Sequence, residues 1–368
     1  MKLNVFNTYI SPRASHYLNE VLESGHLSEG LYSKSFEQAL MKRFGLRNLL
    51  AVNSGTSALH LALDVLNIGP GDEVIIPAQT FIATGLSVLY TGAKPVFADI
   101  RYEDGNIDPE SIKNKITPRT KAILLVHWGG YPCDLNALKD LVKGTKIKLI
   151  EDAAHALGAS YQKLIIGNIS DITCFSFQAI KHLTTGDGGA ICINDDELFE
   201  KASSKKWFGI NRDKADVSEL GERQYNIAEK GYKYHLNNLS SALGLANLEG
   251  YDERLTKRQA VASYYRETLK SVHGIRLFEE KEDRKSAYWL FGFHVDHRLE
   301  FIKALKDKGI AASVVHQRID RNSVFGGLNR DLKGQEAFDK TQIHIPIHDA
   351  ISMKDAAYIV NTIKSGWA

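Results

Sequence analysis

The strongest constraint in this chain is an alternation. Between residues 49 and 193, short runs of β-branched and aliphatic residues recur, each closed by small or turn-forming residues and most followed by a helix-patterned stretch. Residues 49–52, 73–77, 94–99, 122–127, 148–152, 172–177 and 190–193 read as strands. Their apolar residues run together instead of alternating with polar ones, which is the pattern of a strand buried on both faces. Strand–helix alternation of this kind gives an α/β fold, a mainly parallel sheet covered by helices on both sides.

Helices are expected over residues 13–24, ended by Gly25, and 33–44, ended by Gly45, with Gly25 to Gly30 a turn between them. Further helices are expected from Ser57 through Leu66, from about residue 79, and over 108–116, 195–206, 239–248 and 252–272. Residues 213–224 are polar and read as an exposed loop. Beyond residue 250 the reading is a strand over 288–295, a helix over 299–308 stopped by Gly309, a strand over 310–316 and a last helix over 352–364. This divides the chain into a large unit, residues 1–250, and a small C-terminal α/β unit, residues 251–368. A chain of 368 residues with 43% hydrophobic content fills both cores.

The 46 basic and 44 acidic residues are interspersed, with a net charge of +2, so no basic stripe points to nucleic acid or to an anionic membrane. No stretch of about 18 apolar residues suggests a membrane span. Cys133, Cys174 and Cys192 show no paired spacing. That argues against a disulfide framework and against a zinc cluster, and it leads us to expect a cytoplasmic protein with no metal site.

Chemistry concentrates where strands end. Lys181 lies on the connection between the sixth and seventh strands, ahead of Gly186, Gly188 and Gly189, where the backbone can turn tightly or approach a ligand. A lysine amine becomes a nucleophile once its pKa is lowered, and it then forms Schiff bases with aldehydes. Ser176, five residues earlier, can offer a hydroxyl to an anion. Asn53-Ser-Gly-Thr-Ser57 joins a strand to a helix start, so Gly55, Thr56 and Ser57 make an anion site as well as a helix cap. Phe81 sits at the next strand–helix junction, where its ring can stack on a planar ligand or fill the core. Asp152 closes the fifth strand, where an acidic side chain can pair with a protonated ring nitrogen, and His155 follows it.

Ser176, Lys181 and Thr184-Thr-Gly-Asp-Gly-Gly189 together resemble the Schiff-base lysine segment of the DegT/DnrJ/EryC1/StrS sugar aminotransferases, fold-type I enzymes dependent on pyridoxal phosphate (PLP). Ser-Gly-Thr-Ser and Glu-Asp-Ala-Ala-His resemble two further segments of that family in the same chain order, and the likeness covers most of residues 10–250. It implies a seven-stranded sheet sandwiched by helices, PLP as cofactor, and a homodimer with shared active sites. It also implies that glutamate donates the amino group and that a nucleotide-linked keto-sugar accepts it, in the building of surface polysaccharides or glycoconjugates. The resemblance places Lys181 as the catalytic amine, Gly55, Thr56 and Ser57 at the phosphate, Asp152 at the pyridine nitrogen and His155 near the ring hydroxyl. His235, with Asn237 as competitor, aligns with the contact that reaches the neighbouring subunit's phosphate. Asp187 stands where the family often has glutamate, and residues 314–321 depart from its commonest version, which makes His316 and Arg318 candidate substrate contacts. Two rivals share the pattern: a PLP-dependent sugar dehydratase, which carries histidine in place of Lys181, and a PLP-binding sensor without turnover.

Overall fold

The computed structural model describes residues 2–211 and 216–367. In chain order, helices α1 (Ala14–Ser24) and α2 (Leu31–Phe44) precede strand β1 (Leu49–Val52), α3 (Gly55–Val65), β2 (Glu73–Pro77), α4 (Ile82–Tyr90) and β3 (Lys94–Ala98). Then follow α5 (Pro109–Lys113), β4 (Thr120–Val126), α6 (Leu135–Val142), β5 (Lys148–Asp152), the short β6 (Ser160–Tyr161) and β7 (Leu164–Ile165), β8 (Ile172–Ser176), β9 (Gly189–Ile193) and α7 (Asp196–Lys205). The remainder is β10 (Asp216–Val217), β11 (Arg223–Gln224), α8 (Asn238–Leu248), α9 (Tyr251–Leu269), β12 (Ile275–Leu277), β13 (Arg284–Lys285), β14 (Phe291–Val295), α10 (Arg298–Asp307), α11 (Lys333–Thr341), β15 (Gln342–Ile345) and α12 (Met353–Lys364).

Seven strands form the central sheet in the order β1-β9-β8-β5-β4-β2-β3. Neighbours from β3 to β8 run parallel, and β9 is antiparallel to both β8 and β1. Both faces are covered, as the unbroken apolar runs require. Ile75 joins the core on one face with Phe36, Leu40 and Ile123, whereas Val74 and Ile76 join the core on the other with Leu61, Leu63 and Leu124. This one-residue alternation is the strand period of two, with each face meeting a helical layer. The C-terminal ends of β2, β5 and β8 therefore open on one crevice, where an α/β sheet receives its ligand.

A second sheet, β12-β14-β15, is antiparallel and has its own core of Phe291, Phe293, Ile343 and Ile345 against α9, α10 and α12. Leu3 belongs to that core and bridges Ile310, so the segment ahead of α1 packs on the last third of the chain. β13 pairs with β6, which ties the two parts together again.

Four expectations change. Residues 310–316 form no strand; they contribute only bridges, Leu3 to Ile310 and Ser313 to His344, which fall at separate points and do not join into a ladder. The strand expected from residue 288 begins at Phe291, because Tyr288 adopts a positive φ of 50° that turns the chain. The helix expected over 108–116 stops at Lys113. In the polar stretch 213–224, β10 and β11 pair as an exposed ribbon, while residues 213–215 lie outside the described part. Among the described residues no helix is long and apolar enough to cross a membrane, no group of three or more His, Cys, Asp or Glu could hold a metal ion, and all three cysteines are buried as free thiols.

Candidate active site

The ends of β1, β5 and β8, the start of α3, the loop before α4 and the 289 and 316 regions enclose a cavity of about 310 Å³. Its lining includes Ser54, Gly55, Thr56, Phe81, Asp152, His155, Ser176, Lys181, Trp289 and His316. Seven of the expected cofactor residues and one of the two expected substrate contacts thus converge, although they lie up to about 260 positions apart in sequence.

Lys181 sits on the β8–β9 connection, in a turn closed by its N–H donating to the Gln178 carbonyl (2.9 Å). Its Nζ lies 3.7 Å from a ring centroid of Trp289. Burial pushes the amine down to about 7, and the Asp152 carboxylate opposes that fall. A neutral, nucleophilic fraction therefore exists near neutral pH.

Asp152 is buried at the end of β5. Its Oδ2 accepts from the Thr84 hydroxyl (2.8 Å) and its Oδ1 from the Ala154 N–H (3.1 Å). Burial raises its pKa, while these two donors and Lys181 lower it. The ring of His155 stacks on Trp289 at 3.8 Å, and its Nδ1 is buried without a hydrogen-bond partner among the described residues. Burial holds that imidazole neutral, well below its ordinary range, with Lys181 and His316 acting in the same sense.

The turn before α3 is built for close approach. Ser54 caps the helix by accepting from the Ser57 N–H (3.0 Å). A Cβ at Gly55 would lie 2.9 Å from the Ser176 Cβ, and one at Gly189 would lie 2.6 Å from the Ser54 carbonyl carbon, so glycine is what lets these three segments meet. Ser57 itself turns away, its hydroxyl donating to the Asn53 Oδ1 (2.6 Å), and it does not line the cavity.

Three further expected residues lie away from the cavity. His235 is buried, pairs with Val52 in a bridge and meets Trp207 edge-on at 4.2 Å. Asn237 is exposed and caps α8 by accepting from the Ser240 N–H (2.8 Å). Arg318 is buried in a bidentate pair with Asp320 (2.7 and 2.6 Å) and also donates to the Asn329 carbonyl (2.9 Å). His316, two residues before it, does reach the cavity, 5.3 Å from the ring of Phe81, and burial pushes its pKa down to about 4. Sequence reasoning missed Trp289 and Thr84, and it gave Ser54 no role of its own within the 53–57 turn. Thr84 could have been found as the residue five beyond Gln79 on a helix that starts at the crevice; Trp289 gave no such signal.

The arrangement tests well against a phosphorylated aromatic aldehyde. A helix start and a hydroxyl-rich turn suit the phosphate, Asp152 suits a protonated ring nitrogen, the unpartnered His155 Nδ1 suits a ring oxygen, and a desolvated amine suits the aldehyde.

The profile of the DegT/DnrJ/EryC1/StrS aminotransferase family matches residues 9–364. The spore coat polysaccharide biosynthesis protein SpsC of Bacillus subtilis is 35% identical over 359 residues, covering 94% of this chain and 92% of that protein. GDP-perosamine synthase of Escherichia coli O157:H7 is 31% identical over 363 residues, covering 98% and 97%. The crystal structure of the sugar aminotransferase CalS13 from Micromonospora echinospora superposes with a TM-score of 0.94 at 34% identity, covering 99% of this chain and 100% of that one.

Proposed function

The chain belongs to the DegT/DnrJ/EryC1/StrS aminotransferase family, whose members depend on PLP, and on that premise we propose that it moves an amino group from glutamate to a nucleotide-linked keto-sugar, with Lys181 as the catalytic residue. The observation that carries this reading is a single amine, held near neutrality by burial, in one cavity with Asp152, the Ser54–Thr56 turn and an unpartnered imidazole nitrogen. The names of SpsC and of GDP-perosamine synthase support a sugar acceptor on the way to a polysaccharide.

PLP, when bound, supplies an aldehyde that captures amines and a ring that draws electrons from the carbon beside them. The remaining work falls to the chain. The Gly55 and Thr56 turn and Ser176 bind the phosphate, and Asp152, fixed by Thr84 and by the Ala154 N–H, keeps the ring nitrogen protonated. His155 would offer its Nδ1 to the ring oxygen, and Phe81, which lines the same cavity, would offer a face to the ring. With PLP bound, the freed amine of Lys181 would be placed to take the proton from the donor's α-carbon and to hold it, since burial keeps its pKa near 7. Ser57 holds the turn in shape through Asn53. His316 faces the acceptor, and Arg318 acts on it through the loop that it ties to Asp320.

Two units, residues 1–250 and 251–368, serve this site, and their separate cores support the division. A homodimer completes it. Leu27, Leu31, Phe208 and Ile227 are exposed apolar side chains on segments bonded to or neighbouring the 232–238 stretch, so a second copy covering them would bring His235 or Asn237 to its neighbour's phosphate. Three free buried thiols accord with a cytoplasmic setting.

Borohydride reduction of PLP-loaded protein, followed by peptide mapping, tests the reading. A pyridoxyl group on the peptide holding Lys181 upholds it, and one on another lysine overturns it. Glutamate should convert the bound cofactor to its amine form, seen in the absorbance spectrum. A panel of nucleotide-linked keto-sugars then identifies the acceptor by restoring the original band. A dehydratase would not accumulate the keto acid, and a sensor would leave the spectrum unchanged.

A further inference from the structure

The segment ahead of α1 packs behind one wall of the cavity. Its Phe6 stacks on Trp289 with ring centroids 5.1 Å apart and planes 28° from parallel. Trp289 is 1% exposed, and its Nε1 donates to the carbonyl of Ile180, the residue before the catalytic lysine (3.0 Å). His155 stacks on the same indole, and the Lys181 amine rests over it.

Phe6 is held on both sides. Upstream, the Leu3 N–H donates to the Gly309 carbonyl (2.8 Å) and the Asn4 carbonyl meets His348 Nε2 (3.1 Å). Downstream, the Ser11 N–H donates to Asn247 Oδ1 (2.7 Å), and the amide of the same Asn247 donates to the carbonyl of Thr184, three residues past the lysine (2.8 Å). The indole is further fixed by the turn at Tyr288, whose hydroxyl bonds both oxygens of Glu280, and by the Leu290 N–H on the Gly129 carbonyl. The strap thus reaches the lysine loop by two separate routes, one aromatic and one through an amide.

We propose that Trp289 is a positioning residue for the free amine of Lys181, giving it an apolar face to rest on and keeping water from it, and that Phe6 on the strap holds Trp289 in that position. The titratable groups around the amine are Asp152, His155, His182 and His316. Three of these are imidazoles held neutral by burial, so Asp152 is the charge that opposes desolvation. An aromatic face near an amine attracts its charged form by a modest amount, whereas exclusion of water disfavours that form more strongly. Loss of the indole therefore raises the pKa of the amine, because water replaces it.

The inference rests on the assignment of Lys181 as the PLP-bearing amine. Its test needs no cofactor: cofactor-free protein is acetylated in competition with isotopic acetic anhydride across a pH series, and the label is counted on the peptide that carries residue 181. The wild type should show half-reactivity near pH 7. Trp289→Leu and Phe6→Ala should raise that midpoint by a pH unit or more, so that the reactive fraction at pH 7 falls roughly fivefold, from about a half to about a tenth. Trp289→Phe, which keeps a ring over the amine and so keeps water from it, should titrate within about half a unit of the wild type. Melting curves show that each variant is folded, and should Trp289→Leu not fold, Phe6→Ala carries the test alone. A midpoint unmoved in Trp289→Leu overturns the proposal, and one unmoved in Phe6→Ala overturns the part assigned to the strap. Failure of the lysine assignment shows separately, as a pyridoxyl label on a different peptide after borohydride reduction.

Discussion

Lys181→Met in the cofactor-free protein should make the fold more stable, and most so in acid. The lysine amine ordinarily titrates at 10.5, and in this fold burial takes it to about 7. Between those two pH values the unfolded chain binds one more proton than the folded one, so stability rises with pH across that window. Below about pH 7 both states are protonated, and the folded state carries the whole penalty of a charge withdrawn from water. A fall of about 3.5 pH units corresponds to roughly 5 kcal/mol, at about 1.4 kcal/mol each. Methionine has nearly the same shape, stays neutral and fills the same channel against Trp289. Part of the gain is offset because Asp152 loses the positive charge that lowers its own pKa. The gain should therefore be several kcal/mol and at most about 5 kcal/mol at pH 6, and should shrink toward zero by pH 10.5. Guanidinium unfolding of the two cofactor-free proteins at pH 6, 7, 8.5 and 10 measures it, with ΔG taken from midpoint and slope. A gain that is missing at pH 6, or that is as large at pH 10 as at pH 6, refutes the argument that this amine is held in a desolvated state.

Arg318→Ala strands the buried Asp320 carboxylate, whose remaining donor is the Asn329 N–H, and should cost about 3–5 kcal/mol. Hydrogen exchange should show protection lost first at the Ile319 and Asn329 amides, and the double change Arg318→Met with Asp320→Leu should recover much of it. Thr84→Val removes one of the two donors on Asp152 and should cost about 1–3 kcal/mol as a buried acceptor loses its bond. Weaker PLP retention in equilibrium dialysis should accompany that loss, without a change in which lysine is labelled. Gly85→Ala places a Cβ 2.6 Å from the Phe325 Cζ and 2.8 Å from the Ile319 Cδ1, so α4 and the 319–325 turns must separate. A destabilisation of about 1–3 kcal/mol is expected on thermal melting, together with a raised KM for the acceptor.

The central sheet was legible because strands buried on both faces are unbroken apolar runs, and each of the seven ends in residues that break the pattern. The crevice followed from that, since Lys181, Asp152 and the Ser54 turn all sit where such runs stop. What the sequence hid lay in the second half. Tyr288-Trp-Leu-Phe reads as one continuous strand, and nothing in its apolar pattern marks the positive φ at Tyr288 that sends Trp289 out of the sheet and into the cavity. Residues 310–316 have the composition of a strand, yet they meet the outer edge of β15 only where Ser313 bridges His344, and how far a segment follows an edge is a property of the whole fold. β6, β7 and β13 are two residues each, too short for any periodicity to register. Arg318 stood out as a candidate substrate contact in a stretch that departs from the family's commonest version, and not as a buried partner of Asp320, because an acid two residues on does not by itself mark burial.

Leu3 must find Ile310 before the core beneath the small sheet is complete, and Leu3 leaves the ribosome long before Ile310. At about 5–20 residues per second, roughly 15–60 s separate the appearance of these two residues. During that interval Leu3 lacks its partner, and the growing polypeptide holds the large sheet before the small core can close on Leu3. The packing behind the cavity wall is complete only when the residues around Ile310 return to those around Leu3, which are made earlier. A bulky domain fused ahead of Leu3 should accordingly slow the recovery of activity more than one fused behind α12.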